Sequence, residues 1–144
     1  MVDVSSKPNT LRFAHARAII RLPPVALLAL QTNQTHKGNP LQVAILGGIM
    51  ATKQTSLLIP LCHQIPLSSV DVDCALEDGE EGGRVVVDCK VRAEYHTGVE
   101  MEALTGASVA SLVVYDMLKA ASHGIMIESI HLVEKRGGKR DFQK

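Results

Sequence analysis

Asp116 and Lys119 close a stretch, Ala103 to Tyr115, that carries no charged side chain. Three residues apart on a helix, a carboxylate and an ammonium share one face. There they form either a surface ion pair worth about a few tenths of a kcal/mol or a unit that shuttles a proton and holds a phosphate. A second set is Leu61-Cys62-His63, in a segment framed by Pro60 and Pro66. A histidine on a proline-stiffened backbone suits a general base or a substrate clamp, though taken alone it reads better as a ring bonded within its own loop. Cys62 beside it reads as a small hydrophobe rather than a nucleophile.

Lysines make the third set. Lys37-Gly38 precedes a helix start at Asn39, where free amides and the positive dipole end favour an anion. Lys53, Lys119, Lys135 and Lys139 each lie near a loop or an element end, and any one alone reads equally well as solvated surface. Gly137-Gly138 permits close approach of a phosphate to the backbone. Neither a Walker A sequence nor a dinucleotide fingerprint accompanies them. Cys62, Cys74 and Cys89 fall on different elements without zinc spacing, so no metal site is expected.

These residues need elements to hold them. Thr97 and Glu100 have capping-box spacing, which predicts a helix from Thr97 to about Lys119. Its apolar face gathers Ala103, Ala107, Ala110, Val113, Val114, Met117 and Ala121. The other face mixes Met101, Thr105, Ser108, Leu112, Asp116 and Lys119, with Glu102 at its edge, a mixture suited to a ligand or a second subunit. On that helix Glu102 and Asp116 lie about 21 Å apart, at about 1.5 Å per residue. They cannot act on one atom from the same chain.

Upstream, residues 13–21 read as a strand with Ala14, Ala16, Ala18 and Ile20 on one side. Pro23-Pro24 stops it, and a short helix over 25–30 follows. Asn39-Pro40 starts a helix running to about Lys53, with Leu41, Ala44, Ile45, Gly48 and Ile49 on one face. Residues 59–66 form a rigid loop. Strands over 69–76 and 84–95 alternate cleanly about a turn at 77–83. Gly124 is placed as a helix C-cap, followed by a last strand over 125–134 and a basic tail. The order strand, helix, strand, strand, helix, strand predicts an α+β, ferredoxin-like βαββαβ fold. It has a four-stranded antiparallel sheet with helices on one face and is a single domain over 1–144.

Fifteen acids balance 15 bases, so any electrostatic function must be local, and no global field argues for nucleic acid or membrane. Three cysteines suit reduced thiols. With no signal-peptide core and no run of 18 apolar residues, a cytoplasmic or organelle-matrix protein is expected. An RNA-binding module is disfavoured because Phe13, Tyr95, Tyr115 and Phe142 do not cluster on one strand. A regulatory domain that binds a small molecule without turnover is the stronger alternative to an enzyme.

Lys37-Gly38, Leu61-Cys62-His63, the run Thr97-Gly98-Val99-Glu100-Met101-Glu102-Ala103-Leu104-Thr105, Tyr115-Asp116-Met117 and the Lys135 to Lys139 segment occur in order. Together they resemble the molybdenum cofactor biosynthesis protein C family, the cyclic pyranopterin monophosphate synthases, from Met1-Val2-Asp3-Val4-Ser5 over nearly the whole chain. The resemblance implies a ferredoxin-like fold and a homo-hexamer, a trimer of dimers with sites at subunit interfaces. It implies conversion of 3′,8-cyclo-7,8-dihydro-GTP into cyclic pyranopterin monophosphate with loss of pyrophosphate. Asp116 and Lys119 become the catalytic pair. Leu61, Cys62, His63, Met101 and Glu102 lie against the substrate, with Lys37, Lys135, Glu100, Lys53 and Lys139 completing its surroundings. Such a rearrangement needs proton transfers but no hydride or electron, so no resident cofactor is implied, Mg²⁺ on the phosphates being an open companion. Two positions depart from the pattern: Gln64 stands where proline is common, and Asn39 where aspartate is.

Overall fold

Small residues alternating along one strand, and branched ones along its neighbour, set the centre of the molecule. In the computed structural model, which describes residues 1–33, 35, 37–79 and 81–144, β1 (Thr10–Leu22) pairs antiparallel with β3 (Gly82–Tyr95). Ala14, Ala16, Ala18 and Ile20 stand opposite Val91, Cys89, Val87 and Val85, all fully buried. The alanines of β1 leave room for a helix to lie close. The helix that does so, α4 (Glu100–Leu118), returns small residues, Ala103, Ala107 and Ala110.

The other elements are α1 (Pro24–Gln31), α2 (Pro40–Lys53), a one-turn α3 (Thr55–Leu58), β2 (Leu67–Gly79), β4 (Met126–Arg136) and β5 (Phe142–Gln143). The sheet order is β2-β3-β1-β4-β5, antiparallel throughout. Its first four strands have the expected ferredoxin-like arrangement, with α2 and α4 packed together on one face. At the α2–α4 crossing, a Cβ added to Gly106 would collide with the Thr52 hydroxyl and stand 2.6 Å from Cys89 Sγ. Glycine here sets how near the two helices and the sheet approach. By length and composition α4 could cross a membrane; here Ala103, Ala107, Ala110, Val114 and Leu118 are buried in the core, while Met101 and Leu112 are exposed.

Several expectations need correction. The sheet has a fifth strand, because the basic segment is a hairpin and not a tail. Lys135 and Arg136 belong to β4, Gly137 turns with φ +83°, and Phe142 pairs with Lys135. The Thr97–Glu100 capping box does not form. Val99 holds the N-cap position without a side-chain bond, and the Glu100 carboxylate is drawn instead to Lys135 at 3.0 Å. Gly124 is not the C-cap, since α4 ends at Leu118 with Lys119 in right-handed conformation. Thr105, expected on the mixed face, and Glu102, expected at its edge, are buried. Asn39 does cap α2, accepting from the amides of Leu41 and Gln42 at 3.0 and 3.2 Å.

Candidate active site

Gly38, at φ +95°, turns the chain just before the Asn39 cap, and Lys37 is thereby brought to the far end of α4. Its Nζ donates to Asp116 Oδ2 at 2.7 Å, while Lys119 Nζ donates to Oδ1 at 2.7 Å. Each carboxylate oxygen thus takes one ammonium, across half-exposed side chains. The hydrogen bond from Lys119 and then that from Lys37 bring the Asp116 pKa down to about 2, and the same pairing raises Lys119. The three line a cavity of about 210 Å³ with Ala29 and Thr35. An anion such as phosphate placed here would meet two ammonium groups already gathered, and drawing one away would restore basicity to the carboxylate.

The opposite end of α4 is built differently. Glu102 is 4% exposed. Desolvation raises its pKa, Glu100 adds to the rise, and His63 opposes it. It shares a cavity of about 520 Å³ with Lys53, His63, Gln64, Ser68 and Ser69. His63 is turned toward the N-terminal segment, where its Nε2 donates to the Val2 carbonyl at 2.8 Å. Burial and the Glu102 charge raise the Cys62 thiol, which keeps it protonated and agrees with its reading as a small hydrophobe. Leu61 and Met101 sit on the surface nearby, exposed.

A third cluster lies beside the start of the same helix. Lys135 pairs with Glu100 and lines a cavity of about 420 Å³ with Lys139, Gly137 and Gly138. Lys7, Arg12 and His96 share that cavity and were not among the sequence candidates. Arg12 spends its Nε and Nη2 on the Tyr95 and His96 carbonyls, at 3.1 and 3.2 Å. In sequence it falls just before the strand expected over 13–21. Only the pairing of β1 with β4, and the Thr10 hydroxyl donating to the Gly137 carbonyl at 2.8 Å, reveals that it stands beside the glycine turn.

The fold therefore brings Lys37, Asp116 and Lys119 together. It brings Lys53, His63 and Glu102 together, and Glu100, Lys135 and Lys139 together. Within one chain it does not unite the first set with the other two, which flank the far end of α4 about 21 Å away. Among the described residues no three His, Cys, Asp or Glu side chains are arranged to hold a metal ion. On the outer sheet face Asp88 accepts from His15 at 2.5 Å and from Arg17 at 2.8 and 2.9 Å. Burial pushes this carboxyl up, but the two partners more than offset it, and the network is closed on itself.

Known proteins carry related sequences. The chain is 50% identical over 144 residues to molybdenum cofactor biosynthesis protein 1 of Drosophila melanogaster, covering all of this chain and 25% of that protein. It thus spans about a quarter of that relative's length. It is 50% identical over 139 residues to the cyclic pyranopterin monophosphate synthase of Nostoc sp., covering 96% of this chain and 82% of that protein. With the protein of the same name from Deinococcus radiodurans it shares 48% over 144 residues, 99% of this chain and 83% of the other. The MoaC family itself matches residues 1–138, all three clusters except Lys139 included, and the chain belongs to that family.

Proposed function

We propose that this chain converts 3′,8-cyclo-7,8-dihydro-GTP into cyclic pyranopterin monophosphate with release of pyrophosphate. The site is completed by a second copy of the chain. The observation that carries the reading is the Lys37–Asp116–Lys119 triad, with both lysines 2.7 Å from one exposed carboxylate. A triphosphate brings several negative charges to a protein of zero net charge, and a local cluster of ammonium groups is the means of receiving them. Asp116, released from a lysine by the incoming phosphate, takes a proton, and Lys119 gives or accepts one at the other end of the transfer. Burial makes Glu102 a weaker acid than an exposed carboxylate. The names of the bacterial relatives support the same chemistry.

The separation of the two ends of α4 supports an assembly in which one copy's Asp116 end meets the other's Glu102 end. A homo-hexamer built as a trimer of dimers has that property. No hydride or electron moves, and Mg²⁺ on the phosphates would belong to the substrate rather than to these side chains. A cytoplasmic location fits the reading. Incubating the purified chain with the cyclised GTP derivative and measuring pyrophosphate tests it. Stoichiometric release is expected, whereas tight binding without pyrophosphate would leave a regulatory binding domain in its place.

A further inference from the structure

Two histidines hold the N-terminal segment down beside the candidate site. His63 Nε2 donates to the Val2 carbonyl at 2.8 Å and His96 Nδ1 to the Lys7 carbonyl at 2.7 Å. Between these points the chain folds on itself. The Lys7 amide donates to the Val4 carbonyl at 3.0 Å, and the Ser5 amide to the Asp3 carboxylate at 2.9 Å. Val4 is buried, at 8% exposure, while its neighbours over 1–9 are exposed. An apolar pin, an internal turn and two side-chain clasps hold this segment in place. The segment joins two cavities, since His63 lines the one with Glu102, and Lys7, Pro8 and His96 line the one with Lys135.

We propose that His63 and His96 are positioning residues that clasp residues 1–8 as a wall of the site. His63 then acts through the Val2 carbonyl and not by proton transfer at Nε2. A carbonyl only accepts, so the ring nitrogen facing it carries the proton. An Nε2–H engaged at 2.8 Å has no lone pair with which to act as a base. His96 does for Lys7 what His63 does for Val2. By fixing the Lys7 backbone it holds that ammonium in the cavity of Arg12, Lys135 and Lys139, adding a cation where a polyphosphate is to be received. Arg12 braces the clasp from behind through the His96 carbonyl. The effect on substrate affinity rests on the function proposed above; the clasp itself does not.

The terminal amide of glutamine falls near the position of histidine Nε2, and that of asparagine near Nδ1. His63→Gln and His96→Asn therefore keep each donor, whereas His63→Ala and His96→Ala remove it. Hydrogen exchange on the full chain should show the Ser5 and Lys7 amides about five- to tenfold faster in each alanine variant, the loss expected for one hydrogen bond. Rates should return to those of the unmodified chain in the two donor-keeping variants. With the cyclised GTP derivative, KM should rise several-fold in the alanine variants with kcat within about twofold, and both constants should be rescued by His63→Gln and His96→Asn. Unchanged exchange in the alanine variants overturns the clasp. Restored exchange in His63→Gln with kcat as low as in His63→Ala overturns it as well, because the ring itself would then be doing chemistry. If the unmodified chain released no pyrophosphate, the proposed function would fall, and the exchange rates would still decide the clasp.

Discussion

The two ends of α4 carry the same functional group in opposite environments. At the C-terminal end Asp116 is half-exposed between two ammonium groups, and its pKa falls to about 2. At the N-terminal end Glu102 is buried with another carboxylate nearby, and its pKa rises. Charge partners dominate at one end and desolvation at the other, the two effects that most often separate an acid from a base. A helix of 19 residues thus carries one carboxyl shifted down and one shifted up, about 21 Å apart and too far to serve one atom. Under the proposed function, the two ends meet only in a site made between copies.

The largest expected effect lies at the exposed end. Asp116→Asn keeps the shape and removes the charge, so the fold should survive while turnover falls by about 10²–10⁴-fold, as for a general acid–base group. Circular dichroism and pyrophosphate release on the same sample check both halves, and a variant keeping more than half of the activity would remove Asp116 from the centre of the mechanism. Next in size is a test of the two ends together. Glu102→Ala and Asp116→Ala chains, each inactive alone, are mixed after dissociation. In a two-fold assembly about half of random pairs are mixed and each carries one intact site of two, so activity should approach about a quarter of normal. Chains shown to have exchanged and yet still inactive would sink the shared site.

Salt separates the ends further. If Lys37 and Lys119 meet phosphates in solvent, affinity should weaken as ionic strength rises, since screening shortens from about 10 Å at 0.1 M to about 3 Å at 1 M. Lys37→Met and Lys119→Met should lower affinity and flatten that dependence. Titration of the substrate at the two salt concentrations reads this directly, and a Kd insensitive to salt would make the triad a surface ion pair only.

Much of this was legible in the residues, and the limits have physical causes. The β1 and β3 patterns were readable because Ala14 to Ile20 and Val85 to Ala93 alternate against neighbours that are polar except at Ile19 and Val86, and one buried face leaves the register little freedom. The Asn39-Pro40 start was readable because capping is local. The Thr97–Glu100 box failed for the opposite reason: the spacing is local but the competitor, Lys135, comes from a strand distant in sequence. The end of the chain misled in the same way, as Lys135 to Arg140 look like a solvated tail until β5 pairs beside β4. For the candidate site, Asp116 and Lys119 were visible as a pair, but nothing in the sequence brings Lys37 to the same carboxylate. Arg12 and His96 carried no signal of their own, since their place depends on which strand ends meet.

The smallest effect gives the finest test of the comparison, because the two carboxyls must respond to pH with opposite sign. A group whose folded pKa is depressed adds stability above its ordinary pKa and loses it as pH falls through the folded value. For Asp116 that window runs from about 3.8 down to about 2. A group whose folded pKa is raised stabilises below its ordinary value and gives that contribution up as pH climbs. For Glu102 the loss begins above the ordinary value of 4.5. Denaturant midpoints against pH, for the unmodified chain and for Asp116→Asn and Glu102→Gln, should separate the two. Asp116→Asn should flatten the fall on the acid side and leave the slope above pH 4.5 unchanged. Glu102→Gln should do the reverse, and its gain should grow as pH rises from 4.5 toward neutrality. Because the Asp116 pair is solvent-exposed, its part should also shrink in high salt, while the Glu102 part, set by burial, should persist. If both variants shifted the curve in the same direction over the same pH range, the two ends of α4 would not differ as their environments require.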